Sequence, residues 1–297
     1  MLLTPCSTPI QAIHDSLFDR HGVQLLIKRT DLVHPIISGN KWYKLKYNLL
    51  AARQQGYETL LSFGGAYSNH IHALARAGHE YGFKTIGLIR GEPYHPLNPT
   101  LQFAMDHGMA LHYLSRTEYR LKHSAAMVER LRQQFGAFYL LPEGGSNALA
   151  VQGCSEMLAD DDFDVVACAC GTGGTVAGVI AGLSGERRIL GIAVLKGAEF
   201  LHDEVQRLLQ EGGSSGFNNW RIECRYHHGG YAKTTPELLE FMQRFEHDHG
   251  VPLDPVYTGK LLFALYAMVE QQQFPRGTTV LAIHSGGLQG RSELKRM

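Results

Sequence analysis

Cysteine is scarce in this sequence of 297 residues. The five cysteines form no C-x-x-C pair and no zinc-type spacing with histidine, so neither a disulfide framework nor a zinc site is expected. Cys168 and Cys170 would share one face of a strand, an arrangement that could in principle hold a soft metal. Because a free cysteine behaves mainly as a small buried apolar residue, we predict reduced thiols and no metal site.

Excess charge and long apolar runs are also missing. Lys and Arg number 28, as do Asp and Glu, so the formal net charge is zero, and no block of like charge predicts binding to nucleic acid or a membrane surface. No apolar stretch is long enough to span a bilayer, and the first residues lack a secretory signal pattern. These absences predict a cytoplasmic protein whose ligand is a small molecule.

The sequence does contain an alternation of short aliphatic runs and longer segments of helical period, which is typical of a parallel sheet covered by helices. Ser115 and Glu118 form a capping box ahead of an amphipathic run to Gln134, which predicts one helix. The predicted fold class is therefore α/β. The predicted strands are Val23 to Lys28, Thr59 to Phe63, Thr85 to Ile89, Ala110 to Leu114, Phe138 to Leu141, Val165 to Ala169, Ile189 to Val194 and Thr279 to His284.

Glycine-rich turns follow several of these strands. In an open α/β sheet, ligands bind at the carboxyl ends of strands, where such turns collect. The turns could therefore converge on one ligand. They are Gly64-Gly65, Gly144-Gly145, Gly171 to Gly174 and Gly286-Gly287.

The run CGTGGTVAGVIAGL, Cys170 to Leu183, takes a buried strand through a glycine-rich turn directly into a helix. Glycines let the backbone approach a phosphate, the amides at the helix start donate to it, and Thr172 and Thr175 add hydroxyls. A dinucleotide, a phosphorylated cofactor and an ordinary tight turn all remain open. The next strand ends in Lys196 rather than the acid that would bind ribose, and no P-loop lysine closes the turn, so a monophosphate fits better.

Gly39, Asn40 and Lys41 form a turn before an amphipathic helix, and Lys44 follows one helical turn after Lys41. Repulsion between two ammonium groups, together with desolvation, would lower a lysine pKa and make the free amine available for a Schiff base. A solvated helix start is the alternative that spacing alone leaves open.

Ser68 and Asn69 stand where a helix begins, and either residue could simply cap that helix. Alternatively, the amides around Asn69 and His70 bind a substrate carboxylate and place Ser68 beside the reacting carbon. Hydroxyl side chains also stand in two later turns, where most such residues are ordinary turn and cap residues. These are Tyr257, Thr258 and Ser285.

Six motifs occur in order along the chain: GNKWYKL, SFGGAYSNH, GTGGTVAG, HHGGYAK, DPVYTGK and IHSGG. Together they resemble the 1-aminocyclopropane-1-carboxylate deaminase/D-cysteine desulfhydrase family, which are pyridoxal-phosphate (PLP) enzymes of the tryptophan-synthase-β fold type. The resemblance runs from about Lys28 to Gly290, and the ordered set is far more specific than any single motif.

The resemblance implies a fold of two open, twisted, mostly parallel sheets with flanking helices and PLP in the interdomain cleft. It places residues 46–150 in a small domain and residues 1–45 and 151–297 together in a large PLP-binding domain. Many members of the family dimerise, so a homodimer is expected.

The resemblance also implies which residues bind the cofactor. Lys41 is the Schiff-base lysine, and Asn69 bonds the phenolic oxygen. Ser285 stands at the pyridine nitrogen, and Thr258 lies beside it. The phosphate is held by Lys44 and by the loop residues Gly171, Thr172, Gly173, Gly174 and Thr175.

Other motif residues face the substrate under the same resemblance. Ser68 stands over the substrate and moves protons or attacks it, with Asn69 and His70 beside the carboxylate. The family often has glutamine at the position of His70, which leaves the details of carboxylate binding open. Tyr231 and Tyr257 match two active-site tyrosines.

The implied function is that of a PLP-dependent lyase or deaminase, in which a small amino acid loses its β-substituent and yields a 2-oxo acid and ammonia. The deaminase branch reads YEGK and HLGG where this chain has YTGK and HSGG, so D-cysteine desulfhydrase activity is expected and 1-aminocyclopropane-1-carboxylate deaminase is the alternative. A PLP-binding regulatory protein without turnover is an alternative of a different class. The joint presence of Lys41, Ser68, Tyr231 and Tyr257 disfavours it, because a protein that only binds PLP has less use for proton-transfer groups. Lys196 disfavours an NAD-dependent oxidoreductase.

Overall fold

Two separate β-sheets form from the alternating aliphatic and helical segments. The structure is a computed structural model that describes residues 5–158 and 162–291. The six-stranded sheet has the order β1-β2-β10-β7-β8-β9, and the four-stranded sheet has the order β5-β4-β3-β6. The strands are β1 (Ile10–Ile13), β2 (Gln24–Lys28), β3 (Thr59–Gly64), β4 (Lys84–Arg90), β5 (Met109–Leu114), β6 (Tyr139–Leu141), β7 (Val165–Cys170), β8 (Arg188–Ala193), β9 (Trp220–Glu223) and β10 (Thr279–Ile283).

Helices connect the strands and cover the sheets, so the predicted α/β class with two mostly parallel sheets is confirmed. All strand pairs of the described residues are parallel except β1 with β2. The helices are α1 (Ser16–His21), α2 (Asn40–Gln54), α3 (Asn69–Tyr81), α4 (Pro99–Asp106), α5 (Arg116–Arg120), α6 (Ala125–Phe135), α7 (Ala148–Cys154), α8 (Gly174–Leu183), α9 (Leu201–Glu211), α10 (Pro236–His249) and α11 (Thr258–Glu270).

Two strands were not predicted from the sequence, and both lie at edges of the large sheet. β1 and β9 are four residues long, and each has one fully buried position, whereas all six residues of the central strand β7 are buried. A central parallel strand is covered on both faces, so its sequence is a continuous run of apolar residues. An edge strand is less covered and needs no such run, so its sequence gives a weaker signal.

The helix predicted from Ser115 to Gln134 is wrong in one respect. Its capping box is present, because Ser115 Oγ accepts from the Glu118 N–H and the Glu118 carboxylate accepts from the Ser115 N–H. The chain nevertheless leaves the helix after Arg120 and starts again at Ala125. Ser124 caps this second helix by accepting from the Met127 N–H at 3.2 Å, and this local hydrogen bond competes with a continuous helix.

Close packing of three helices fixes the lysine turn against the glycine loop before α8. A Cβ on Gly153 of α7 would lie 2.0 Å from the Tyr43 carbonyl oxygen of α2. A Cβ on Gly178 of α8 would lie 2.2 Å from Cβ of Cys154 of α7. Only glycine allows backbones to approach so closely, and the start of α2 is therefore held firmly beside the start of α8.

No helix within residues 5–158 and 162–291 combines the length and the apolar character needed to cross a membrane. In the same ranges, no three His, Cys, Asp or Glu side chains are grouped so that they could hold a metal ion. Cys168 and Cys170 are both buried in the apolar core.

Candidate active site

A cavity of about 790 Å³ lies where loops from the two sheets meet. Its volume is in the range of sites for small molecules and cofactors. Four predicted site residues, Asn69, Gly174, Thr258 and Ser285, lie outside its lining. The predicted residues that line it are Lys41, Lys44, Ser68, His70, Gly171, Thr172, Gly173, Thr175, Tyr231 and Tyr257.

The first turn of α2 places two lysines on one side of this cavity. Nζ of Lys41 and Nζ of Lys44 each donate to the carbonyl oxygen of Gly144 at 3.3 Å. Burial, and next the ammonium of Lys44, lower the pKa of Lys41 well below its ordinary value. This is the direction expected from the sequence, and it favours the free amine that a Schiff base requires.

Beside the lysines, hydroxyl and amide donors surround a small space at the start of α8. Lys44 Nζ donates to Ser146 Oγ at 2.9 Å, and Ser146 Oγ lies 2.7 Å from Thr172 Oγ1. A Cβ on Gly174 would approach Ser146 Oγ to 2.6 Å and Lys44 Nζ to 3.0 Å. The amides of the loop, one ammonium and two hydroxyls fit a phosphate monoester at the positive end of a helix.

The loop before α8 is also tied to the turn that carries Lys41. Asn40 Nδ2 donates to Thr175 Oγ1 at 2.7 Å. On the other side of the turn, a Cβ on Gly39, whose φ is +62°, would lie 2.0 Å from the carbonyl oxygen of Ser285. Lys41, the glycine loop before α8 and Ser285 are thus held in one arrangement.

Ser68 caps α3, as one of the alternatives from the sequence expected. Its Oγ accepts from the Ile71 N–H at 3.3 Å, while the hydroxyl hydrogen stays available for a ligand. The N–H groups of Asn69 and His70 belong to the first turn and so have no partner within the helix. Capping and substrate binding are therefore compatible at this position.

The ring of His70 is held in one tautomer. Ser62 Oγ donates to the carbonyl oxygen of Leu141 at 2.9 Å and lies 2.8 Å from Nε2 of His70. Because the hydroxyl has one hydrogen, Nε2 must donate to Ser62, and Nδ1 then carries no hydrogen in the neutral ring. Burial, then the charges of Lys41 and Lys44, lower the pKa of His70 well below its usual value. Nδ1 is buried without a partner, so it is an acceptor.

The side-chain amide of Asn69 is oriented by a residue that the sequence did not single out. Gln289 Nε2 donates to Asn69 Oδ1 at 2.5 Å. The Nδ2 group of Asn69 lies against Gly287, where a Cβ would come within 2.6 Å of it. The hydrogen bond therefore fixes which end of the amide is the donor, with Nδ2 on the side of Gly287.

Tyr231 and Tyr257 meet at the mouth of the cavity. Their hydroxyl oxygens are 3.4 Å apart, and Tyr257 is the residue immediately before α11. Desolvation raises the pKa of Tyr231, and desolvation followed by the neighbouring Tyr231 raises the pKa of Tyr257 well above its usual value. Both phenols therefore keep their protons at neutral pH and can donate hydrogen bonds.

Thr258 is fully buried, and its hydroxyl has partners within the protein. Thr258 Oγ1 donates to Asp254 Oδ1 and accepts from the Asp254 N–H, each at 2.7 Å. These bonds fix the turn before α11, and the turn in turn positions Tyr257. The side chain stabilises the site from behind the cavity wall.

Sequence reasoning missed three polar residues that the structure places at the site. Ser146 belongs to the phosphate-sized cup, and Gln289 orients Asn69. Glu143 lines the cavity, accepts from the Tyr119 hydroxyl at 2.8 Å and lies 3.4 Å from Lys122 Nζ. Ser146 and Glu143 flank the recognised turn Gly144-Gly145, so that turn was the available signal.

Comparisons with known proteins agree with this geometry. The profile of the family described as "Pyridoxal-phosphate dependent enzyme" matches residues 3–286. The chain is 32% identical over 297 residues to the "Bifunctional D-cysteine desulfhydrase/1-aminocyclopropane-1-carboxylate deaminase, mitochondrial" of Arabidopsis thaliana, covering 91% of this chain and 74% of that protein. It is 28% identical over 306 residues to the "D-cysteine desulfhydrase" of Yersinia enterocolitica, covering 95% and 91%. The crystal structure of an "ACC deaminase homologue" superposes with a TM-score of 0.86 at 28% identity, covering 99% of this chain and 94% of that one.

Proposed function

The chain belongs to the family of pyridoxal-phosphate dependent enzymes, and from this premise we propose that it removes the β-substituent of D-cysteine or a related β-substituted amino acid. With D-cysteine and water, the products are pyruvate, ammonia and hydrogen sulfide. The observation that carries the proposal is the lysine with a lowered pKa, Lys41, which opens on the same cavity as a phosphate-sized cup and two protonated tyrosines.

We propose a division of roles for holding the cofactor. Lys41 would carry the cofactor through Nζ, while Lys44, Ser146 and the loop from Gly171 to Thr175 would hold the phosphate. When bound, pyridoxal phosphate would supply an electron sink for the bond that breaks at the α-carbon of the substrate. Asn69 and Ser285 would bind the polar atoms of its ring.

The substrate groups have candidate partners on α3. The first-turn N–H groups of Asn69 and His70 donate to the α-carboxylate, because anions bind at helix N-termini. The Nδ1 atom of His70 carries no hydrogen in the neutral ring, so it does not donate to the carboxylate and can only accept a hydrogen bond. The Ser68 hydroxyl stands beside the α-carbon and takes part in proton transfer at that carbon.

The tyrosine pair is proposed to stabilise the departing group. Negative charge builds up on the sulfur as the carbon–sulfur bond breaks, and Tyr231 and Tyr257 keep their protons at neutral pH because desolvation raises their pKa values. The phenols would therefore donate hydrogen bonds to the sulfur as it leaves.

Within the family, the absence of a carboxylate side chain at Thr258 and the hydroxyl of Ser285 favour the desulfhydrase reaction over ring opening of 1-aminocyclopropane-1-carboxylate, while the Thr258 hydroxyl itself is bonded to Asp254. A carboxylate beside the pyridine nitrogen favours the protonated ring, which is the stronger electron sink, whereas a hydroxyl tolerates the neutral ring. Opening a cyclopropane demands more of the cofactor than expelling a thiolate. This argument supports D-cysteine, and 1-aminocyclopropane-1-carboxylate deaminase activity is the second candidate.

A paired assay tests the proposal. We expect the purified protein, loaded with pyridoxal phosphate, to show kcat/KM on D-cysteine well above that on 1-aminocyclopropane-1-carboxylate, with hydrogen sulfide and pyruvate formed in equal amounts. β-Chloro-D-alanine serves as a substrate with a different leaving group. Conversion of the cyclopropane substrate without any of D-cysteine would contradict the choice of reaction. Cofactor binding without turnover of any of the three amino acids would favour a regulatory protein.

Two further expectations belong to the same proposal. We propose that residues 46–150, which contain the four-stranded sheet, form the small domain, and that the rest forms the large domain. We also propose that two copies form a homodimer, which sedimentation velocity of the loaded protein tests.

A further inference from the structure

Lys260 is a fully buried lysine that the proposed reaction does not use. It lies in the first turn of α11, three residues after Tyr257. Its Nζ donates to the carbonyl oxygen of Gly230 at 2.7 Å and to that of Val194 at 3.4 Å. A buried ammonium carries a large desolvation cost, so a side chain that only filled this space would be apolar.

Gly230 directly precedes Tyr231 in a segment that we call the Tyr231 loop, residues 224–235, which lies between β9 and α10. Its backbone is unusual, because His228, Gly229, Gly230 and Ala232 all have positive φ. Two of these are not glycine, so the conformation is costly, and it is held by hydrogen bonds within the loop, such as Lys233 N–H to the Gly230 carbonyl oxygen at 3.1 Å, together with contacts from outside. The contact from Lys260 reaches the loop next to the tyrosine.

We propose that Lys260 is a positioning residue that holds Tyr231 against Tyr257 by tying the Tyr231 loop to α11 and to the end of β8. Lys260 and Tyr257 share the start of α11, and Gly230 and Tyr231 are adjacent in the loop. A bond from Lys260 to Gly230 therefore sets the separation of the two phenols, whose oxygens are 3.4 Å apart. The proposal deepens the proposed function, because it rests on a role for Tyr231 in turnover.

The groups around Lys260 make this tie sensitive to pH. Burial lowers the pKa of Lys260 to about 8, while the carboxylate of Asp254 acts in the opposite direction. His228 faces Lys260 from the loop, and Lys196, after β8, packs on Gly230. An ammonium donates stronger hydrogen bonds than a neutral amine, so the Tyr231 loop should loosen as the pH rises through about 8.

Hydrogen exchange of the cofactor-loaded protein tests the tie without any substrate. Lys260→Met keeps the length of the side chain and removes the donor. We expect amides of residues 224–235 to exchange about tenfold faster in this variant, since a charge-assisted bond is lost. Lys233→Met is the matched control, because Lys233 lies in the same loop with an exposed side chain and should leave exchange unchanged. Unchanged exchange in Lys260→Met would overturn the proposal.

The wild-type protein supplies a measurement that needs no variant, should Lys260→Met fail to fold. Exchange of the Tyr231 loop, corrected for intrinsic rates, should show an extra increase near pH 8, whereas the amides of β7 serve as an internal reference. Parallel behaviour of the loop and β7 between pH 7 and 9 would also overturn the proposal.

A double-mutant cycle asks whether Lys260 acts through Tyr231. With D-cysteine as substrate, Lys260→Met should lower kcat about tenfold in the wild-type background and change it little in Tyr231→Phe, because coupled residues are not additive. Independent, additive losses would show that Lys260 does not act through the tyrosine. If the wild type does not turn over D-cysteine, the proposed function fails, and the exchange experiment still decides whether Lys260 holds the loop.

Discussion

Lys41 and Lys44 share one acceptor, since both Nζ atoms lie 3.3 Å from the carbonyl oxygen of Gly144. Two ammonium groups on one oxygen repel each other, and the amine that is to attack a carbonyl carbon must be the one that gives up its proton. Burial lowers the pKa of both amines, and the pKa of Lys41 falls well below its usual value through burial and then the charge of Lys44. Lys44, which reaches Ser146 in the cup, is placed to pair with a phosphate, whose charge would favour the ammonium form.

Replacement of Lys41 should remove covalent cofactor and all turnover. In Lys41→Ala, borohydride reduction followed by peptide mapping should find no pyridoxyl group, whereas the wild type should carry it on Lys41. Lys46→Ala is the control, because Lys46 lies on the same helix and pairs with Glu156 outside the cavity. A pyridoxyl group on another lysine of the wild type would contradict the site assignment.

The charge on Lys44 should contribute, after burial, to the low pH at which Lys41 reacts. A lowered pKa means that the free amine is present at lower pH, so Lys44→Met should raise the pKa of Lys41 and move the midpoint of capture upward. Pyridoxal is the right probe, because it lacks the phosphate that we propose Lys44 binds. Absorbance at several pH values gives the midpoint. An unchanged midpoint would mean that burial alone lowers the pKa of Lys41.

Ser68→Ala should separate binding from chemistry. Cofactor should still bind, while kcat should fall by about 10²–10⁴, the usual worth of a positioned proton-transfer group. Loss of the cap should also cost about 1 kcal/mol in the free energy of unfolding. Ser124→Ala removes a comparable cap on α6 and should show the stability loss without the loss of kcat. Near wild-type turnover in Ser68→Ala would leave capping as its only role.

Gly174→Ala should weaken the phosphate cup without touching Lys41. The added methyl would clash with Ser146 Oγ and Lys44 Nζ, so affinity for pyridoxal phosphate should fall by about 10-fold to 100-fold. Titration of the apo protein, followed by absorbance, measures this. Gly290→Ala, where a Cβ meets open space, is the control. Equal affinity in the two variants would place the phosphate elsewhere.

The sequence predicted the central strands and the glycine turns well, because buried parallel strands and positive-φ turns leave strong local signals. β7 and the loop after it were found from a run of apolar residues followed by glycines. β1 and β9 left no such signal, since edge strands need few apolar side chains. The break between α5 and α6 depends on a competition between Ser124 and helix propagation that periodicity does not resolve.

Prediction of the site was limited by contacts between distant parts of the chain. Lys41, Ser68 and Tyr257 stand at local turns, so they could be identified from the sequence as candidate site residues. Gln289 meets Asn69 across 220 positions, and Lys260 meets Gly230 across 30, so neither partnership has a local pattern. The six ordered motifs indicated the family, but they did not show that the Thr258 hydroxyl bonds Asp254 within the protein.

Substitution of Gly153 or Gly178 should damage the site even though neither residue lines the cavity. Neither glycine lines it, yet each sits where two helices touch with no room for a methyl group. An alanine at Gly153 would displace α2, and the displacement would be carried along a rigid helix to Lys41 and Lys44. In a screen of variants, substitution of these two glycines should therefore reduce activity as strongly as substitution of Lys41 or Lys44. The loss should exceed that caused by replacing many of the side chains that line the cavity.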